Sequence, residues 1–116
     1  MRTVLIVDDH AEFRRAARAL LEADGFQIVG EAADGMSAIT EAARLRPQLV
    51  LLDVQLPDVD GFEVASRLAA LAAPPHVVLT SSRSAGSFRR RLAASPALGF
   101  VAKAELSGKA LAAFVG

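Results

Sequence analysis

Two carboxylates stand side by side in LIVDDH, at Asp8 and Asp9, directly after a run of apolar, strand-forming residues. A third, Asp53, follows LVLL at residues 49–52. Thr80 and Ser81 follow VVL at residues 77–79, and Lys103 comes just after the short apolar stretch that ends at Val101. Adjacent carboxylates repel, and when a fold holds them together one resists ionising unless a cation shares the site. Carboxylate oxygens are the hard ligands that magnesium takes, alongside waters and phosphate oxygens. A hydroxyl and an ammonium are natural partners for a phosphoryl group. Together these residues could carry out metal-assisted chemistry on a phosphoryl group. Each also has a plainer role open to it. Asp9 could cap a helix, Asp53 could open a turn, Thr80 could be an ordinary strand residue, and Lys103 could be a solvated surface lysine. The fold must decide whether they meet.

Short apolar runs alternate with helical patterns along the chain. Strands are expected over residues 3–7, 26–31, 49–52, 77–79 and 98–101, the third continuously apolar and therefore central. Helices are expected over 10–24, 34–45, 62–71, 86–94 and 106–115. The first places Phe13, Ala16, Ala17, Leu20 and Leu21 on one face and can end at Gly25. The second places Met36, Ile39 and Ala43 inward and stops before Pro47. The third uses Ala65, Leu68 and Leu71, and the last Ala110, Leu111 and Phe114. Residues 86–94 are weaker and basic, with Phe88 and Leu92 as the clear apolar positions beside Arg89, Arg90 and Arg91. Such alternation implies right-handed crossovers and a parallel sheet with helices on both faces. Ligands of such sheets sit outside the carboxyl ends of the strands. The acids, the hydroxyls and the lysine all fall at that edge.

Composition narrows the classes. The chain has 116 residues, 53% of them hydrophobic, which suits one folded domain over residues 1–116. The formal net charge is zero, against a domain-wide electrostatic footprint for nucleic acid. There are no cysteines, which excludes disulfides and thiolate metal sites. The N-terminal MRTVLIVDDH is not a signal peptide, and no apolar stretch reaches the length of a membrane span. A soluble cytoplasmic protein, without direct contact to nucleic acid or membrane, is expected.

The segments VLIVDDH, LVLLDVQLPDVDGFEV, VVLTSS and GFVAKAEL, in this order, resemble the receiver domain of bacterial two-component response regulators. The resemblance covers nearly the whole chain. It implies a flavodoxin-like (βα)5 α/β fold, a doubly wound five-stranded parallel sheet of order 2-1-3-4-5. It implies that Asp53 is the phosphoacceptor and that Asp8, Asp9, Asp53 and the backbone carbonyl of Gln55 bind Mg2+ (or Mn2+). It gives Lys103 to the phosphoryl group or the unmodified Asp53, Thr80 the role of switch hydroxyl, and Phe100 that of switch aromatic. It implies a histidine kinase or histidine phosphotransfer protein as phosphodonor. The face built from the fourth helix, fifth strand and fifth helix would then switch an output domain or partner, with a homodimer through that face as one form. The domain would be no enzyme beyond its own phosphorylation and dephosphorylation.

Three positions depart from the family pattern. Ala104 follows Lys103 where many receivers have a proline. The interval from Thr80 to Lys103 is one residue longer than usual, which keeps Ser81 open as the switch hydroxyl. Phe100 replaces a tyrosine and brings no hydroxyl. Two other functions compete. An aspartate-nucleophile phosphohydrolase of the haloacid-dehalogenase type wants a second acid two residues past the nucleophile, but His10 follows Asp8 at that interval and Gln55 follows Asp53. A degenerate receiver acting as a phosphorylation-independent interaction module is the other; retention of Asp53, Lys103 and Thr80 argues against it. No output domain is expected within the chain, which is read either as a stand-alone receiver or as one domain of a longer regulator.

Overall fold

The computed structural model describes residues 2–115. Five strands, β1 (Thr3–Val7), β2 (Gln27–Ala32), β3 (Leu49–Asp53), β4 (His76–Ser81) and β5 (Gly99–Ala102), form one sheet. Its order is β2-β1-β3-β4-β5, with every neighbouring pair parallel. The helices between them are α1 (Ala11–Ala23), α2 (Gly35–Leu45), α3 (Gly61–Ala69), α4 (Arg89–Ala94) and α5 (Gly108–Val115). The expected doubly wound sheet is therefore present, in the expected order.

The period of two along each strand sorts side chains onto two faces. Leu5 and Val7, Val50 and Leu52, and Val77 and Leu79 pack against α2, α3 and Phe88. Val4 and Ile6, Leu49 and Leu51, Val78 and Val101 pack against α1 and α5. Every residue of β3 is buried, as its continuous apolar run requires of a central strand. Carried one step further, the same alternation sends Asp8, Asp53, Thr80 and Lys103 toward the α1/α5 face, at the carboxyl end of the sheet.

Local chemistry fixes the joints. Gly25 takes a φ of +90° as the chain leaves α1, a conformation open to a residue without Cβ. Asp34 caps α2 by accepting the Ser37 N–H at 2.8 Å, and Asp60 caps α3 by accepting the Phe62 N–H at 2.7 Å. Asp58 accepts N–H groups of Gly35 at 2.7 Å and Met36 at 3.0 Å, tying the β3–α3 loop to the start of α2. Those two N–H groups hold its carboxyl below the usual carboxylate range.

Several boundaries and faces differ from the sequence expectation. β4 extends through Ser81, so Thr80 and Ser81 lie within the strand rather than after it. The segment expected as helix 86–94 divides into a 3-10 turn at Ala85–Phe88 and the six-residue α4, because Gly86 and Ser87 give little to bury until Phe88. A second 3-10 turn at Lys103–Glu105 precedes α5, which starts at Gly108 rather than residue 106. α2 buries Gly35, Ala38 and Ala42, while Met36 is exposed; its buried stripe is set by small residues that let the helix approach the sheet. In α1, Ala17 and Leu21 are buried, whereas Ala16 and Leu20 are exposed.

Candidate functional site

The carboxyl ends of β1, β3 and β4, and the turn after β5, bring the candidate residues together. Asp8 is fully buried. One of its oxygens accepts the backbone N–H of His10 at 2.8 Å, and the other lies 2.7 Å from the Lys103 ammonium. Its backbone N–H donates to Ala32 and its carbonyl accepts from Arg14 at 2.6 Å, so the strand end is held on both sides. Asp9 is exposed, and its Oδ1 stands 3.1 Å from His10 Nδ1. It does not cap α1; His10 occupies that position.

Asp53, the last residue of β3, is 3% exposed. Its Oδ1 accepts the Gln55 N–H at 3.2 Å, and its Oδ2 is 3.6 Å from Lys103 Nζ. Burial, and then the charge of Asp8, push the Asp53 carboxyl up from 3.8 to about 6; the Gln55 N–H and Lys103 pull the other way and do not win. Lys103 is thus closer to Asp8 than to Asp53. Its ammonium also lies 4.4 Å from the centre of the Phe13 ring.

The two candidate hydroxyls separate clearly. Thr80 is opposite Asp53 in the β3–β4 register, on the same face of the sheet. Its hydroxyl is fully buried and has no hydrogen-bond partner among the described residues. Ser81 lies on the other face, and its Oγ already accepts the Arg83 N–H at 3.1 Å. A buried orphan hydroxyl is costly unless some state of the protein supplies an acceptor.

Phe100 is half-buried on the face opposite Thr80. Its ring centre is 5.9 Å from that of Phe88, which is 5.9 Å from that of Phe62. Arg91 covers Phe62 at 4.3 Å and pairs with Asp60 at 2.6 Å. This aromatic ladder with its arginine clamp joins β5 to α4 and α3, and the isolated sequence motifs gave no sign of it. Gly61 closes the other side: a Cβ there would collide with the Asp53 carbonyl and lie 2.7 Å from Val54 Cα.

Asp9, His10, Asp53, Gln55 and Lys103 border a cleft of about 300 Å³ at this edge. Ligand atoms of Asp8, Asp9, His10 and Asp53 all lie within 4.8 Å of one another. His10 is the member that sequence reasoning passed over; its adjacency to Asp9 was the available signal. A larger hollow of about 530 Å³, bordered by Arg2, Asp24 and Lys109, lies beside α5 and gathers no such cluster. The arrangement at the sheet edge offers a desolvated carboxylate, flanking acids close enough to share a cation, an ammonium, and a buried hydroxyl without a partner among the described residues.

The family model for the response regulator receiver domain matches residues 4–114. The chain belongs to this family. A transcriptional regulator of Pseudomonas aeruginosa is 44% identical over 105 residues, covering 90% of this chain and 51% of the relative. A protein-glutamate methylesterase/protein-glutamine glutaminase of Anaeromyxobacter dehalogenans is 44% identical over 109 residues, 92% of this chain and 31% of that protein. Among solved structures, the signal receiver domain of the response regulator NarL from Mycobacterium tuberculosis superposes with a TM-score of 0.87 at 29% identity, covering 99% of this chain and 97% of that one. The receiver spans about half the length of the transcriptional regulators it matches, and less of the methylesterase. It is a signalling domain of two-component systems, found in relatives with quite different outputs. Among the described residues no helix is long and apolar enough to cross a membrane.

Proposed function

We propose that Asp53 accepts a phosphoryl group from a histidine kinase or histidine phosphotransfer protein, and that the resulting charge resets the α4–β5–α5 face. The observation that carries this reading is the buried Asp53 carboxylate at the rim of the cleft, held between Asp8 and Lys103 and in register with the orphan hydroxyl of Thr80. Asp53 acts as nucleophile: its oxygen forms the bond to phosphorus as the donor's N–P bond breaks. Lys103 has an ammonium within reach of both Asp8 and Asp53, and it turns from the acid pair to the new phosphoryl oxygens. Thr80 gains the acceptor it lacks and moves inward to bond it. Phe100 follows, and the ladder through Phe88 carries the change to α4.

The donor set fits Mg2+ (or Mn2+), since hard carboxylate oxygens of Asp8, Asp9 and Asp53 lie close enough to share one ion. Those three residues, with the Gln55 carbonyl, would hold it; bound there, it supplies the positive charge that offsets repulsion between an anionic donor and an anionic acceptor. Residues 1–116 act as one receiver module in the cytoplasm, catalysing only the loading and loss of this phosphoryl group. The regulated partner is an output domain or separate protein, and a second copy docking through α4–β5–α5 is one form of output.

The test is intact-mass measurement after incubation with acetyl phosphate, with magnesium or with a chelator. A magnesium-dependent gain of one phosphoryl group, absent in Asp53→Asn, supports the reading. No gain under any condition refutes it and leaves a phosphorylation-independent interaction module.

A further inference from the structure

His10 is placed as a ligand would be. Its Nδ1 lies 3.1 Å from Asp8 Oδ1 and 3.1 Å from Asp9 Oδ1. An octahedral ion with bonds of about 2.1 Å sets adjacent ligand atoms roughly 3.0 Å apart. One nitrogen at this spacing from two carboxylate oxygens has the separation that a ligand at a shared corner of such an octahedron would have. In the metal-free chain Nδ1 hydrogen-bonds to Asp8 Oδ1 and stands as near to Asp9 Oδ1; an ion between the three atoms would engage all of them at this same spacing. The backbone reinforces the placement: the His10 N–H donates to the same Asp8 oxygen at 2.8 Å, which anchors the residue at the site. The ring is 69% exposed, so it can turn to an arriving ion without disturbing the core. A second feature marks the site as one built for a ligand. Thr80, fully buried and on the same face as Asp53, directs no hydrogen bond to any described residue.

An imidazole changes what an oxygen site prefers. Carboxylate and water suit magnesium, while imidazole nitrogen suits the later first-row ions. We propose that His10 is a nitrogen ligand that biases this acidic site toward later first-row divalent ions such as Co2+, at the expense of selectivity for Mg2+. The proposal rests on the reading of the acid cluster as a metal site.

The test is isothermal titration of the metal-free chain with MgCl2 and with CoCl2, at fixed pH and ionic strength, together with the visible absorption of bound Co2+. Removing the nitrogen in His10→Ala weakens Co2+ binding by about tenfold or more and alters the Co2+ band. Mg2+ affinity stays within about threefold. His76→Ala, which removes the other histidine of the chain, changes neither. Equal effects of His10→Ala on both ions, or none on either, overturn the proposal while leaving the acid site standing. If the wild type binds neither ion, or Asp53→Asn binds both undiminished, the metal-site reading itself falls and takes the proposal with it.

Discussion

Asp53→Asn should make the metal-free protein more stable at pH 7. The wild-type carboxyl is buried beside Asp8, and its pKa stands at about 6 rather than 3.8. The folded state therefore holds its proton over a range where the unfolded chain has already released it. By linkage, the stability this proton brings is fully present below about pH 4 and is lost as pH rises through about 6. The interval from 3.8 to about 6 corresponds to an upper bound of about 3 kcal/mol; with Lys103 sharing its charge between two acids, about 1–3 kcal/mol is expected. Asparagine removes the charge and keeps the shape. Its oxygen can still accept the Gln55 N–H, and its amide can donate toward Asp8. Lys103 keeps its closer partner, Asp8, at 2.7 Å, so no ammonium is left unpaired.

The assay is urea unfolding in a chelator, wild type against Asp53→Asn, from pH 5 to 8. The difference between the two curves isolates this one group. Burial pushes Glu31 up, but Arg18 and Arg14 outweigh it, and backbone N–H groups hold Asp58 low. The stability those two contribute fades only as pH falls below the usual carboxylate range, and it fades equally in both proteins. The variant's advantage should be greatest above pH 6 and shrink by roughly half at pH 5, closing fully only below about pH 4. Added magnesium should stabilise the wild type more than the variant and narrow the gap. A variant less stable than wild type at pH 7, or a difference independent of pH, refutes the argument that Asp8 and burial strain this carboxylate.

Lys103→Ala removes the counter-charge of the fully buried Asp8 and should cost roughly 3 kcal/mol in urea midpoint experiments at pH 7; Asp8→Asn in the same chain should recover part of it. Thr80→Val keeps volume and discards an unpartnered hydroxyl, so stability should hold or rise by up to about 1 kcal/mol, while acetyl phosphate no longer shifts the amide resonances of β4 and α4. Ser81→Ala, which loses a bond to the Arg83 N–H, should cost about 1 kcal/mol and leave that response intact. Gly61→Ala presses a methyl against backbone of Asp53 and Val54 that cannot yield, and should lower the thermal midpoint and slow phosphorylation together.

Much of this was legible because it follows from periodicity. Four apolar residues in a row at 49–52, between Pro47 and Pro57, read as a central strand covered on both faces, and the acid that follows then emerges at the sheet edge. Alternating strands and helices then bring Asp8, Asp53, Thr80 and Lys103 to one end. The choice between Thr80 and Ser81 was not settled by counting residues to Lys103. The register of β3 and β4 puts Thr80, and not Ser81, on the face of Asp53, which is why the proposed switch is given to Thr80. The preference of Lys103 for Asp8 over Asp53 was out of reach, since it depends on distances of 2.7 and 3.6 Å between side chains from three strand ends.

The least legible stretch is the one the proposed switch must move. From Arg83 to Ala94 the apolar periodicity is thin, the chain forms a 3-10 turn and then six helical residues, and α4 itself buries no residue fully. Its hold on the rest comes through Phe88, placed between Phe62 and Phe100, through the partly buried Leu92 against the same core, and through Arg91 on Asp60 and the Phe62 ring. Weak local signal and few anchors are one property seen twice. A segment whose position is fixed by a few contacts can be repositioned by the free energy of one local charge change, whereas β3, buried along its whole length, cannot. The conflict at the other end is complementary. Two buried carboxylates and an orphan hydroxyl oppose stability where the chemistry sits, and the rest of the sheet holds them there. The proposed switch needs both: a strained acceptor on a rigid edge, and next to it a face loosely enough held to answer.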